Sequence, residues 1–302
     1  MTTIAPPPPV PPSAPPAPST APPPLTPGTR TAIRVLLIGA AAVLVLGSLS
    51  ALGAAAWGLS AFRVITDSKT LPSAMRALVV DTGRLPVAVR ITTDRAATEP
   101  RADMRMINSV RAGSHPLTVS GDSASTRVAI SGEPSPFLQW GRTGEITIVL
   151  PPELSRKLAV TSQQQNGVLM AQADLNQLTV HIDNGAVLLS GSAQRIEAHT
   201  QNGDVITRSA IRVTDSFSAT TDNGDVEVDF SDAAPRTVDA TSDHGDIRIA
   251  VPPRGPYVVN TNTGNEHGST VIRVPRTTDS ESAASVITAR SDNGDVVIDN
   301  LR

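Results

Sequence analysis

Cysteine is absent from the 302 residues, which excludes disulfides, thiolate metal sites and cysteine nucleophiles. Aromatic residues are only 2% of the chain, so any core must be assembled from aliphatic and small side chains. Lysine is nearly missing as well. Lys69 and Lys157 are the only two, the positive charge is almost all arginine, and with abundant Ala, Thr and Val this points to a GC-rich bacterial genome. The balance of 25 Lys+Arg against 28 Asp+Glu leaves a net charge of −3 and no basic block, which argues against nucleic acid as a partner. The chain also lacks a nucleophile elbow, a Walker loop, a dinucleotide fingerprint and an HExxH zinc motif, so it reads as a non-enzyme without cofactor or catalytic residues.

What is present divides the chain. Thirteen prolines fall in the first 30 residues, within a stretch that has no apolar periodicity and too little hydrophobic area to offset the entropy of ordering it. Residues 1–32 therefore read as a disordered tail of polyproline II character, acting as a spacer rather than as a ligand for a proline-binding groove. From Val35 to Phe62 run 28 residues without a charge, beyond the roughly 20 needed to cross a bilayer. The run is longer than a signal-peptide core and sits behind a long leader, so residues 33–62 are expected to remain as a transmembrane helix. Arg30 and Arg34 precede it and Arg63 follows, which biases the amino terminus to the cytoplasm and the bulk of the chain to the outside.

Past residue 140 one pattern recurs: an alternating run, an Asn-Gly-type turn, then a second alternating run. The turn glycines Gly144, Gly167, Gly185, Gly203, Gly224, Gly245, Gly264 and Gly294 are spaced by 23, 18, 18, 21, 21, 19 and 30 residues, a period too short for helix pairs. Six residues before the turn Asn or its equivalent, the copies place Phe137, Val160, Leu178, Ile196, Phe217, Val238, Tyr257 and Ile287, all large and apolar. Two residues after the glycine stand Ile146, Leu169, Val187, Val205, Val226, Ile247, Glu266 and Val296. Between them the inward positions are mostly Ala, Ser or Thr. Period two thus holds on both sides of the turn.

Two folds can use such a pattern. Each copy can form one coil of a β-solenoid, a parallel β-helix-like stack with like residues in columns about 4.8 Å apart, or each turn can close a hairpin of an antiparallel array or sandwich. Columns of like residues favour the all-β solenoid, with coils of 18–23 residues. Residues 141–302 are then the β-repeat domain and 63–140 a membrane-proximal β region or cap, with Val79 to Leu85 resembling a diverged copy and strands expected near Val87–Thr92 and Thr126–Ile130. The 30-residue interval before Gly294 reads as a loop at 275–284 inserted into one coil.

The motif Asp-Asn-Gly-Asp-Val at 222–226 and 292–296, with near-copies at 201–205 and 243–247, resembles the putative-adhesin β-strand-repeat family, domain of unknown function 4097. The resemblance covers roughly residues 75–300. It implies a surface-exposed, repeat-built bacterial protein, of actinobacterial kind given the composition, and brings no catalytic residues with it.

Two constellations invite a chemical reading. Aspartates form columns before the turn (Asp183, Asp222, Asp243, Asp292) and after it (Asp204, Asp225, Asp246, Asp295), and carboxylates stacked this way are candidate calcium ligands, chiefly Asp204, Asp225 and Asp246. Turn chemistry explains them more simply, because Asn, Asp and Gly tolerate positive φ and bond nearby backbone. His181 and His199, 18 residues apart, should stack on the outer face without an evident third metal ligand. Gly167, Gly185, Gly203, Gly224, Gly245 and Gly294 are expected to define the corners. The functional expectation is a single-pass envelope protein offering a binding, adhesion or scaffolding surface to an envelope polymer, glycan or protein. The alternative is a membrane-bound sensor or regulator signalling through the proline-rich tail, and a weaker third is a glycan-cleaving β-helix.

Overall fold

Alternation sets the secondary structure. In β12 (Thr237–His244) and β2 (Ala77–Gly83) every second side chain is buried, as expected for strands packed on one face. The computed structural model describes residues 36, 38–41, 43–50, 62–109, 117–130, 144–264 and 268–301. It divides into two compact units, Met1–Leu59 and Ser60–Arg302.

In the first unit the described residues between 36 and 50 are helical, and Leu36, Ile38, Val43, Leu44 and Leu49 are exposed. Among the described residues no helix is long and apolar enough to cross a membrane. The rest of the expected span 33–62, apart from Phe62, and the proline-rich segment 1–32 lie outside the described residues.

The second unit is a parallel β-solenoid. Each coil contributes one strand before the Asn-Gly corner and one after it, and the strands form two rows. After the corner, β9 (Val205–Thr207), β11 (Val226–Asp229), β13 (Ile247–Val251) and β17 (Val296–Asn300) pair in parallel, each with the next. Before it, β8 (Ala159–Asn202), β10 (Arg212–Asn223), β12 and β16 (Ser285–Asn293) do the same. β8 is a single 44-residue extended segment that winds through successive corners without losing strand geometry. Parallel pairing excludes the hairpin-array alternative for this region. It places Ile196, Phe217, Val238 and Ile287 in one buried column and Ala198, Ala219, Ala240 and Ala289 in the next. With alanine in one inward column and Thr or Ser in the next, the coil is narrow, and so the core closes with few aromatics. Phe217 and Phe230 meet edge to face at 5.4 Å.

Both ends depart from sequential stacking. β2 lies between β6 (Ser125–Ile130) and the start of β8, and β3 (Val87–Thr93) lies between β7 (Gly144–Leu150) and the next stretch of β8, all parallel. The coil at 77–93 is thus enclosed by one made later in the chain, and residues on both sides of position 140 share continuous pairing. Antiparallel strands close this end: β4 (Arg101–Ser109) on β7, β1 (Phe62–Thr70) on β4, and β5 (Leu117–Gly121) on β6. At the other end β16 inserts between β12 and β14 (Tyr257–Thr263), and β17 between β13 and β15 (Thr270–Ile272).

This insertion corrects two expectations. Residues 275–284 are not a loop within a coil; they carry the chain back from the outer coil so that 285–300 can slot in beneath it. The alignment of the 257–272 copy also shifts, by two residues before the corner and by four after it. Val259, not Tyr257, pairs with Ile287, and Thr270, not Glu266, pairs with Val296. The glycine stacked on Gly294 is Gly268, since a Cβ there would lie 2.6 Å from the Gly294 carbonyl oxygen, whereas Gly264 sits against Asp292. Phe137 lies outside the described residues.

Candidate functional site

The corner is built from its glycines outward. Gly167, Gly185, Gly203, Gly224 and Gly245 all have φ between +149° and +158°. From Gly185 to Gly245, and again at Gly294, a Cβ would lie within 2.3 Å of the carbonyl oxygen of the glycine one coil below. The backbone of successive coils is therefore in direct contact along this column. Gly144 lacks a side chain for a different reason: a Cβ would meet that of Met106 on the antiparallel neighbour β4 at 2.5 Å.

Polar groups of the corner are occupied in holding it. Asp225 N–H donates to Asp204 Oδ1 at 2.9 Å, and Asp246 N–H to Asp225 Oδ1, Asp295 N–H to Asp246 Oδ1 and Ser269 N–H to Asp295 Oδ1, each at 2.8 Å. The calcium candidates Asp204, Asp225 and Asp246 are thus members of a carboxylate-to-backbone ladder, one per coil. The Ser269 N–H holds the Asp295 carboxyl below the usual carboxylate range. A parallel ladder of amides runs beside it, Asn202 Nδ2 donating to Asn184 Oδ1 and Asn223 Nδ2 to Asn202 Oδ1, both at 3.1 Å. Just inside, the hydroxyls of Thr221, Ser242 and Ser291 donate to the carbonyls of Gly203, Gly224 and Gly245 at 2.9 Å. This explains the small polar column, which alternation alone marks as inward but cannot account for. Among the described residues no group of three or more His, Cys, Asp or Glu is arranged to hold a metal ion.

His181 and His199 do meet across adjacent coils, with ring centroids 5.9 Å apart and planes tilted by 51°. His199 pairs with Thr220 in the following coil. On the other side His181 lines a shallow polar groove of about 350 Å³ with Asp81, Gln163, Gln165 and Asp183.

No sequence motif marks the larger cleft at the far side of the coil. It measures about 690 Å³ and is enclosed by the turn before β2, the loop before β4 and the short helix Pro152–Ser155. Met75, Leu154 and Pro151 give it apolar walls, while Arg76, Lys157 and Asn176 supply polar groups. Its frame is fixed by backbone bonds: Leu71 N–H to Pro100 O at 2.9 Å, Ala159 N–H to Arg76 O at 3.0 Å and Asn176 N–H to Leu158 O at 3.1 Å. Buried Ser155 ties the helix to the coil through Thr93 Oγ1 at 2.9 Å and the Asp174 carbonyl.

No curated protein matches the chain. Among solved structures it is similar to a putative adhesin from Bacteroides fragilis, at 14% identity and TM-score 0.40, over 79% of this chain and 97% of that one. A putative cell adhesion protein from Clostridium sporogenes is similar at 8% identity and TM-score 0.38, over 79% and 100%. A putative lipid binding protein from Parabacteroides distasonis is similar at 10% identity and TM-score 0.41, over 79% and 97%. The sequence pattern of the family described as Toastrack DUF4097 matches residues 117–299, from β5 through the last coil. With more than half its length matched, the chain belongs to the Toastrack DUF4097 family.

Proposed function

We propose that the protein is a non-catalytic binding or scaffolding element of the cell envelope, held in the membrane by the apolar segment 33–62 with its amino terminus in the cytoplasm and its solenoid outside. The observation that carries this reading is the parallel register. Outward side chains of successive coils lie side by side at strand spacing, about 4.8 Å, and form long surfaces that suit an extended or repetitive partner. The repeated aspartates and asparagines of the corner, the residues that otherwise invite a catalytic reading, are engaged in coil-to-coil hydrogen bonds. The partner is an envelope polymer, glycan or protein.

Full-length protein in detergent, immobilised and exposed to solubilised envelope fractions, tests the reading. Retention of an envelope component, lost when Gly224→Val disrupts the stack, is the expected result; no retention under any ionic condition overturns it. Protease treatment of intact spheroplasts tests the topology, since the solenoid should be digested while the proline-rich tail is protected. The reverse pattern removes the extracytoplasmic assignment.

A further inference from the structure

Two cations, Arg76 and Lys157, line the cleft at the far side of the coil. Several arginines elsewhere on the solenoid are matched to carboxylates: Arg90 with Glu145, Arg195 with Asp215, and Arg273 with Asp299, at 2.9 to 3.0 Å. Arg76 and Lys157 line the cleft and have no side-chain partner among the described residues. The one carboxylate on the rim, Glu153, is engaged by Arg156 at 3.1 Å. Two unmatched cations therefore face one concavity in a chain whose net charge is −3. Both are held by their own backbones, Arg76 N–H donating to Ser123 O at 3.1 Å and Lys157 N–H to Leu154 O at 3.0 Å. Little ordering of the main chain would accompany binding.

We infer that this cleft binds a phosphate- or carboxylate-bearing segment of an envelope polymer, about one or two sugar or polyol units long. The Arg76 guanidinium and the Lys157 ammonium would take the oxyanion, with Asn176 beside them. The volume lies within the range of roughly 300–1,000 Å³ that holds discrete small ligands, and its concave shape fits a single segment better than a flat bilayer surface. No aromatic side chain lines it, so recognition rests on charge and hydrogen bonds rather than ring stacking, and it should weaken as salt is raised. The inference deepens the envelope-binding reading above and rests on it for the origin of the ligand.

The scarcity of lysine supplies the test. Full-length protein in detergent is reductively methylated with ¹³C-formaldehyde, which labels Lys69 and Lys157 as the only lysines beside the terminal amine. Lys69 is 3.6 Å from Asp67 on β1, outside the cleft, and serves as the internal control. Glycerol 1-phosphate and glucuronate are titrated as separate probes. The expected result is a saturable shift of the Lys157 resonance with Lys69 unmoved, and roughly tenfold weaker binding in Arg76→Gln at an unchanged melting temperature. Equal shifts of both lysines, or no shift of Lys157 with either probe or with anionic vesicles, overturn the site. If neither soluble probe acts and only phosphatidylglycerol vesicles, not phosphatidylcholine vesicles, shift Lys157, the ligand is a lipid surface and the polymer assignment is overturned. Envelope material retained equally by native protein and by Arg76→Gln with Lys157→Gln removes the cleft but leaves the general binding reading standing. A saturable Lys157 response without any retained envelope material does the opposite.

Discussion

At Gly185 a single missing atom holds two coils together. Its φ is +153°, and a Cβ would lie 1.6 Å from the carbonyl oxygen of Gly167, a backbone atom that cannot swing aside. Gly83 is the useful contrast: its φ is +55°, yet nothing lies within 4 Å of a Cβ built there. Alanine at 83 should therefore carry only the conformational cost, about 1 kcal/mol. Alanine at 185 adds displacement of a neighbouring coil to backbone strain on the order of 1–3 kcal/mol. Chemical denaturation of the two variants should rank them in that order. Equal losses would mean that close coil contact is not what the glycine column provides.

Tyr257 is the only tyrosine in the chain, and its ring is 1% exposed at the start of β14. Burial pushes the phenol pKa up, and the hydroxyl donates to the Pro252 carbonyl. A raised folded-state pKa gives a stability contribution that is complete below the ordinary phenol value near 10 and is lost as pH rises through the folded value. Ultraviolet absorbance during a base titration should show the tyrosine ionising later than a free phenol, together with loss of the outer coil. Titration at the ordinary value in a still-folded protein would contradict the burial of Tyr257.

Among the elements, the C-terminal coil has the most consequential placement. Ile287, Ala289, Val296 and Ile298 are fully buried between two other coils. The ladder pairings of β14 and β15 are with β16 and β17. Deleting 285–302 should strip amide-exchange protection from 257–272 and leave β12 and β13 as a frayed edge, while β8 and β9 keep theirs. Persistent protection of 257–272 would show that the outer coil docks directly on β12 and β13. The ion pairs across the strands matter less to this order. Glu227 and Arg248, at 3.9 Å and both about half exposed, form the kind of surface pair that contributes at most about 1 kcal/mol.

For the molecule as a whole, nearest-neighbour stacking means that stability is distributed along the solenoid, and a ligand that bridges coils would raise it globally. The Asp204, Asp225 and Asp246 carboxylates already accept backbone N–H groups, so millimolar Ca²⁺ should move the melting temperature no more than Na⁺ at equal ionic strength. A calcium site used at a hundredfold excess over its dissociation constant would add about 2.7 kcal/mol, a shift of several degrees for a domain of this size. Such a shift, abolished by Asp225→Asn with Asp246→Asn, would make the acidic ladder a metal site.

The spacing of Asn-Gly corners and the period-two alternation were enough, read in one dimension, to determine strands, corners and columns from Val160 to Ile249 and at Ile287–Val296. Each of those features is local: a positive-φ corner calls for glycine, and an inward face calls for apolar or small side chains. The His181–His199 contact follows from the same 18-residue step. Only the tertiary structure decided the order of coils at the two ends, the four-residue shift that puts Gly268 in place of Gly264, and the cleft around Arg76 and Lys157. The physical reason is degeneracy. Coils with the same columns offer one another equivalent parallel registers, so the local pattern does not say which neighbour a coil will take. Arg76, Lys157 and Asn176, far apart in the chain and outside any motif, meet in the cleft because β2 pairs with the start of β8.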